Sequence, residues 1–443
     1  MIWQIIAHND RADAFEPRIN PQSFRIDLNL NSNDSDLSIN TNIGQVFDAY
    51  GAYPSNLAID LLNLAITVFT SDKCASRNQA FDRWTRGFQI YQPVSDLAVW
   101  NRARQKLETM LGFLTGDHWE IEFREVKNRP PISRKQPQLN LSQLARHPSA
   151  VALLSGGLDS FSGAIELLES VPGEVAFVSH YNRGGPTKTV QDGVYALLNR
   201  IYPERVCPLH FFIQPPEKIT GGAERSLRSR SFLFLALGVA ASNSNTNNPP
   251  LYIFENGLLS LNVPLMHNRS GSLSTRTTHP HFMKLFQGVL DEVGISVHLE
   301  TPFRFMTKGE ILLSSKNMEV LKEGIPVTHS CSQPTYLQYM GLGQRNHCGH
   351  CLPCIVRGAA TARAGLADVT YAMDIQKENP PANRTEGKDL FAIRTALKRL
   401  ETLDSPLIFY VLKSAPLPGS KADIDQYVEV YRRGMEELGA FLK

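Results

Sequence analysis

An α/β fold, with a parallel sheet covered by helices on both faces, is the architecture this sequence predicts. Three observations carry the prediction. From about residue 149 onward, short apolar runs of strand length alternate with helical stretches. A Ser-Gly-Gly turn sits where the first of these runs passes into a helix, and four cysteines crowd toward the C-terminal end. Runs that are apolar throughout suit strands buried on both faces, and the strand–helix alternation suits parallel pairing. Around this unit the sequence predicts an N-terminal α+β region and C-terminal helices. The expected division is 1–128 accessory region, 129–147 linker, 148–370 α/β domain with a cysteine knuckle at 331–354, and 371–443 helical extension.

At 443 residues the chain is long enough for two or three domains and a sizeable core. Its net charge of +2 forces neither a nucleic-acid nor an anionic-membrane partner. The longest apolar run, Phe232 to Ala241, is too short to span a bilayer, and Met1-Ile2-Trp3-Gln4 has no basic leader pattern. These features predict a soluble, cytoplasmic protein. Six cysteines in a chain of this length do not make a disulfide framework.

In the first region, Phe24, Ile26, Leu28 and Leu30 alternate with polar residues and predict a half-buried strand. Asn31 to Asn42 reads as a surface loop. Leu57–Phe69 reads as a buried helix. Ser95 is the expected cap of another, carrying Leu97, Trp100, Leu107, Leu111 and Leu114 on one side. Trp119, Ile121 and Phe123 alternate again. His8 and Asp10 make an incidental polar pair. Prolines and basic residues from Lys127 to His147 predict the linker.

In the α/β unit the expected strands are Val151–Leu154, Val175–Val178, Cys207–Ile213, Leu251–Phe254 and Ile295–Leu299. The expected helices are about 159–169, 187–201, 230–242 and 281–293, with 230–242 apolar on nearly every side. Ligands of such sheets sit beyond the carboxyl ends of the strands. That rule brings three loops together: Ser155–Ser160, Tyr181–Lys188 and Glu255-Asn256-Gly257.

Ser155-Gly156-Gly157-Leu158-Asp159-Ser160 is the stretch around which the chain is organised. Paired glycines permit a bend whose N–H groups converge on an anion, and the following helix adds its positive end. Ser155 and Ser160 bring hydroxyl donors; Asp159 suits Mg²⁺ or a phosphate-bound water. An ordinary glycine turn is the alternative. No Gly-Lys-Ser/Thr P-loop occurs. Tyr181-Asn182-Arg183 fits either purine stacking or a surface turn. Arg228 and Arg230 stand at a helix start, where a cation opposes the macrodipole, so an anion must compensate them: a carboxylate or a triphosphate. Thr307 and Glu310 make a capping box, which puts Lys308 in the first turn as a phosphate contact or a solvated lysine.

Cys331, Cys348, Cys351 and Cys354 follow the spacing C-x16-C-x2-C-x2-C. Four thiolates suit a closed, structural Zn²⁺ site, with an iron–sulfur cluster or a redox dithiol as alternatives. Arg345, His347 and His350 fall inside this knuckle and are candidates to face the site. Cys74 and Cys207 read as inert core residues. Residues 355–364, a helix from Thr385, and the stripe Ile424, Tyr427, Tyr431, Met435, Leu438, Phe441 complete the chain.

The Ser155–Ser160 stretch resembles the PP-loop of the ATP-pyrophosphatase superfamily, which cleaves ATP between its α and β phosphates to adenylate a substrate. The resemblance implies a Rossmann-like domain and pyrophosphate held by Ser155, Gly156, Gly157, Asp159 and Ser160, with Leu154 and Leu158 flanking them. A PP-loop followed by a four-cysteine knuckle is similar to the QueC family, the 7-cyano-7-deazaguanine synthases. Thr301-Pro302, Thr307-Lys308-Gly309-Glu310-Ile311, Ser330-Cys331, Cys348-Gly349-His350-Cys351, Cys354 and Arg357 carry the likeness. The cysteines are more widely spaced than that family's, little of its base-recognition stretch survives at Thr278-His279-Pro280-His281-Phe282, and both ends of the chain are extra. This long form resembles the QueC-like proteins of bacterial anti-phage defence operons, the QatC type. The resemblance implies an ATP-dependent ligase that adenylates 7-carboxy-7-deazaguanine and joins it to an amine, with ATP, Mg²⁺ and structural Zn²⁺. Asp159, Ser160, Arg230 and Lys308 would be catalytic, while Tyr181, Arg183, Glu255 and Asn256 would contact the substrate. A protein from the same operon would be the acceptor. A synthase using ammonia, another PP-loop reaction such as tRNA thiolation, and a nucleotide-binding scaffold are the alternatives.

Overall fold

The structure, a computed structural model, describes residues 2–10, 12–18, 21, 23–30, 38–126, 147–182, 186–216, 224, 227–266, 276–333, 337, 341 and 346–443. The expected linker at 129–147 falls almost wholly outside them.

Two sheets organise the chain. In the first, β1 (Ile2–His8), β2 (Ser23–Asn29), β4 (Gly87–Val94) and β5 (His118–Glu125) lie in the order β2-β1-β4-β5. Every pairing is parallel; Ile5 stands beside Ile26 on one side and Ile90 on the other. The N-terminal region is therefore α/β rather than α+β. Parallel strands need crossovers, and the helices α2 (Asn56–Cys74) and α3 (Leu97–Thr115) supply them. β1 and β4 carry no clean alternation because both are buried along most of their length.

The cap of α3 is Asp96, whose side chain accepts from the Val99 N–H, not Ser95. The buried carboxylate of Asp60 on α2 takes both the amide (2.9 Å) and the hydroxyl (2.6 Å) of Ser95, plus the Trp100 indole N–H (3.0 Å). A buried carboxylate needs those donors, so the serine is no longer free to cap.

The second sheet has the order β10-β9-β6-β7-β8-β3. Its strands are β6 (Ala150–Leu153), β7 (Val175–Tyr181), β8 (Val206–Gln214), β9 (Leu251–Tyr252), β10 (Leu299–Glu300) and β3 (Asn40–Thr41). The first five are parallel; β3 pairs antiparallel with β8. Residues 40–41 of the expected surface loop thus form an edge strand, beside buried Ile39. Residues 295–298, expected as strand, instead lead irregularly into the short β10, while Ile295 and Val297 keep their buried places.

Between the sheets lie two helical layers. α2 and α3 pack on the first sheet and, on their other side, against α6 (Arg230–Asn243) and α8 (Pro280–Val293), and α6 covers β6 and β7 of the second. One hydrophobic core runs from Ile5 and Trp100 through Phe232 and Phe286 to Val151. A second lies on the other face of the second sheet, under α4 (Leu158–Ser170) and α5 (Thr187–Ile201). The C-terminal helices α12 (Thr385–Glu401), α13 (Leu407–Val411) and α14 (Lys421–Phe441) share a third core with α11 (Leu352–Arg363). Among the described residues no helix is long and apolar enough to cross a membrane.

Candidate active site

In the second sheet the chain runs from β6 outward through β7 to β8, then returns to place β9 on the other side of β6. The reversal between β6 and β9 opens a crevice at their carboxyl ends. A cleft of about 590 Å³ lies there, within the range of small-molecule sites. Ser155, Gly157 and Ser160 line it from the loop after β6, Asn182, Pro186 and Thr187 from the loop after β7, and Glu255 from the loop after β9. The three loops expected to meet do meet. Arg230 and Ser231 of α6, Thr277 and Thr278, and His329, Cys331 and Ser332 complete the wall.

Gly156 adopts φ +88°, a left-handed conformation that favours glycine. Gly157 does not: its φ is −81°, and an added Cβ would meet nothing closer than 3.4 Å. Nothing in the chain itself demands glycine at 157, and the residue lies open to the cleft; a close-approaching ligand is the constraint that would. Ser155 Oγ lies 3.1 Å from Ser160 Oγ and accepts from the Gly157 N–H at 3.3 Å, while Ser160 Oγ donates to the Gly157 carbonyl at 2.9 Å. Leu154 and Leu158 are fully buried, and the Leu154 amide is bonded to the Val178 carbonyl, so neither side chain faces the cleft.

Asp159 lies behind the loop. One carboxylate oxygen pairs with Lys308 Nζ at 3.0 Å; the other accepts from Asn256 Nδ2 at 2.7 Å and from the Asn256 amide at 3.3 Å. Burial works against the Asp159 charge, but Lys308 and the hydrogen bonds outweigh it and hold the carboxyl below its ordinary range. Beside it, burial and then the Asp159 charge push the Glu255 carboxyl well above its ordinary range. Of the two carboxyls, Asp159 is thus the one whose charge its surroundings favour, while at Glu255, which lines the cleft, they favour the protonated form. Asn256 is fully buried and caps the short helix α7 (Gly257–Leu261) while orienting Asp159. Lys308, at the start of α9 (Lys308–Leu313), is neither solvated nor free: it is 4 % exposed and neutralises Asp159. Lys308 thus stands by one oxygen of Asp159 and Asn256 by the other.

Arg230 presents the uncompensated charge. It donates to the His180 carbonyl at 3.1 Å and to His180 Nδ1 at 3.4 Å. Burial, then the neighbouring arginine, lowers His180 to about 3, so the imidazole stays neutral and its Nδ1 accepts. Among the described residues no carboxylate lies within salt-bridge distance of Arg230. Arg228 turns away, stacking on Trp84 and donating to the Thr115 carbonyl.

One expected substrate contact, Tyr181, is not on the cleft wall. Tyr181 packs its ring against His210 and Phe212, and Asn182 takes the place on the cleft wall. Arg183 lies outside the described residues, as does Arg345. Of the segment 278–282, Thr278 faces the cleft; His279 and Phe282 are fully buried, and His279 caps α8 through its own ring nitrogen.

The four cysteine sulfurs of Cys331, Cys348, Cys351 and Cys354 are buried and lie within 4.8 Å of one another. Cys348 and Cys354 are 3.9 Å apart, Cys351 and Cys331 4.0 Å. Thiolates around Zn²⁺ at about 2.3 Å stand roughly 3.8 Å from each other at the corners of a tetrahedron, so the donor set fits that ion. Amide N–H groups of Gln333 and Cys351 point at the sulfurs of Cys331 and Cys348, as they do toward thiolates. His347 and His350 are buried beside the cluster; the His347 ring accepts from the Ser330 amide. Cys74 and Cys207 are buried free thiols elsewhere, with burial pushing Cys74 up to about 12. The cluster joins the cleft through the chain: the amide of His329 donates to the Gly156 carbonyl at 3.0 Å. Sequence spacing pointed to both motifs but not to this bond between them.

A parallel α/β sheet with a glycine bend at its switch point, an unpaired arginine over it and a cysteine cluster for one wall defines a class of anion- and nucleotide-type sites. Within that class, residues 277–365 match a family model described as Queuosine biosynthesis protein QueC. The matched stretch carries Thr278, Lys308 and all four cysteines; the Ser155–Ser160 loop lies outside it. No curated protein gives a significant match to the chain. The similarity suggests ATP use by a synthase or ligase.

Proposed function

We propose that the chain is an ATP-dependent enzyme of the PP-loop type that activates the carboxylate of a 7-deazaguanine acid by adenylation and passes it to an amine. The observation that carries this reading is the cleft: a glycine bend and Arg230, which has no carboxylate partner among the described residues, both line it, next to the QueC-like cysteine cluster. The triphosphate would lie along Ser155–Ser160, where the helix start and the two hydroxyls offer donors. Mg²⁺ would arrive with the phosphates and neutralise part of their charge. Arg230 meets the negative charge that grows on the departing pyrophosphate. The substrate carboxylate attacks the α-phosphate, giving an acyl-adenylate and pyrophosphate; an amine then displaces AMP and gives up a proton. Neutral Glu255 faces this reaction space and can donate a hydrogen bond to the acid without repelling it. The cysteine cluster, with Zn²⁺, holds the wall and takes no part in the chemistry.

The same reading names the acceptor as an amine of a protein encoded alongside it, in anti-phage defence. Support comes from the long terminal regions that the QueC match does not cover. The test is pyrophosphate release with ATP and 7-carboxy-7-deazaguanine, with intact mass of a co-expressed operon neighbour read in parallel. Pyrophosphate release with a mass gain on the neighbour upholds both parts. Release with free nitrile and no mass change leaves the activation and overturns the protein acceptor. No release with any 7-deazaguanine acid overturns the whole reading in favour of a scaffold.

A further inference from the structure

Two helices present the cations of the proposed site, and each begins against a carboxylate from a different end of the chain. Asp72, on the last turn of α2, is fully buried. One of its oxygens accepts from the Ser229 hydroxyl at 2.6 Å and the Ser229 amide at 3.2 Å. Ser229 is the residue immediately before Arg230 at the start of α6. The other oxygen of Asp72 accepts from Arg86 at 2.6 Å, and Arg86, also buried, is held by Asp117 at 2.7 Å. The carboxylate thus fixes the start of α6 through Ser229, while its charge is met by Arg86 and not by Arg230.

The second case is Glu437, on α14 near the C-terminus. Its side chain is 3 % exposed. It accepts from the Thr307 hydroxyl at 2.8 Å, the Gly309 amide at 3.2 Å and Arg363 at 2.9 Å. Thr307 and Gly309 flank Lys308. Arg433, one turn before Glu437, holds Glu310 of the same capping box at 2.7 Å. A Cβ on Gly309 would come within 2.5 Å of the Glu437 carboxylate, so the close approach needs glycine.

We propose that Asp72 and Glu437 are positioning residues: each accessory region contributes one buried carboxylate that fixes the start of a helix and so aims one cation, Arg230 or Lys308, at the glycine loop. The proposal rests on the reading of that loop as a nucleotide site, and its test has a part that does not. Hydrogen bonds to a charged group contribute about 1.5–3 kcal/mol, so losing one shifts a dependent equilibrium roughly tenfold or more.

The experiment uses the full chain with Glu437→Gln, Gly309→Ala, Asp72→Asn and Ser229→Ala, and with exposed Glu436→Gln as control. Hydrogen exchange across 307–311 and acylation of Lys308, both read by mass spectrometry, report the C-terminal brace without any assay of activity. Glu437→Gln and Gly309→Ala should raise both about tenfold, with the first sheet unchanged. Unchanged exchange and labelling at 307–311 overturn that half. Should Glu437→Gln fail to fold, Gly309→Ala decides, since it displaces the carboxylate and keeps its charge. Ser229→Ala, the milder cut, should raise exchange at 228–232 and lower kcat for pyrophosphate release about tenfold with the KM for ATP little altered; Asp72→Asn should do so more strongly. A rise in KM alone, or no change in either measure, overturns the N-terminal half. A wild type that releases no pyrophosphate overturns the proposed function instead, and the exchange data still judge the braces.

Discussion

Both sheets are built on parallel strands, the second with one antiparallel edge strand, and both end in polar residues at their carboxyl edges, yet at one edge these groups bond each other and at the other they line a cleft. At the first sheet, His8 bonds Asp27 at 3.0 Å and the Asp13 carbonyl at 2.9 Å. Arg124 reaches the Ala7 carbonyl and the Asp13 carboxylate and stacks on Phe15. His8 does not pair with Asp10; its partners come from the neighbouring strand and the turn. At the second sheet, the carboxylate–lysine pair sits behind the loop, and Arg230, the two serines and the Glu255 carboxyl are left facing a cleft. A strand edge becomes a site when its polar groups are organised without being used up. The same groups consumed by one another make only a well-sealed end.

The largest way to break that contrast is to remove the metal wall. Cys351→Ser should abolish tight zinc binding, measured by metal analysis of the purified chain, and should release hydrogen-exchange protection at 329–332, the His329 amide included. The first sheet should keep its protection, because the bond that protects the His329 amide, to the Gly156 carbonyl, concerns the second sheet alone. Loss of protection in both sheets would show that the two edges do not differ in the way described.

A smaller effect separates buried from exposed charge. Asp159→Ala strands Lys308 without a partner and should cost about 3–5 kcal/mol in denaturant unfolding. Asp27→Ala removes a carboxylate whose partner Arg25 is partly in water, and should cost within about 1 kcal/mol. Equal costs would erase the distinction between the two edges.

The smallest effect is pH dependence, and it sharpens the comparison. Glu255 has a folded pKa above its unfolded value of about 4.3, so the stability it contributes is fully present below that pH and is lost as pH rises through the folded value. Glu255→Gln should remove this loss, and its Tm should gain on wild type as pH rises above about 4.3. Asp159 has the opposite sense: its contribution is present above about 3.9 and is lost as pH falls through the folded value. At the first edge the Asp27 hydrogen bond, working against burial, raises His8; that contribution is present below about 6.5 and is lost as pH rises through the folded value. His8→Gln should flatten the first edge near neutral pH and leave the Glu255 profile unaltered, which paired Tm–pH curves would show.

Much of the second sheet was legible because its strands are short apolar runs between helices with ordinary caps. The helix at 187–201, the capping box at Thr307 and the stripe of the last helix stand where periodicity and capping chemistry put them. The first sheet was not legible in the same way. β1 and β4 are buried nearly throughout, so no alternation marks them, and β3 has two residues and gains its identity only from β8. Ser95 looked like a cap because nothing local reveals Asp60, thirty-five positions away in the chain. In the site, Ser155, Gly157, Ser160, Arg230 and Glu255 could be named in advance, as could the four cysteines. The true work of Asn256 and Lys308 could not, because each is defined by its bond to Asp159.

The sequence alone determined the glycine bend, the cysteine ligand set and the alternation of strands with helices, since each depends on residues close together along the chain. Tertiary structure alone decided that Arg230 has no counter-ion among the described residues, that Asp159 shares its charge with Lys308, and that Asp72 and Glu437 meet the two helices that carry the cations. The reason is physical. Backbone angles and chelate spacing are set within a turn or two, whereas charge balance in a buried site is set by whichever groups packing brings within hydrogen-bond reach.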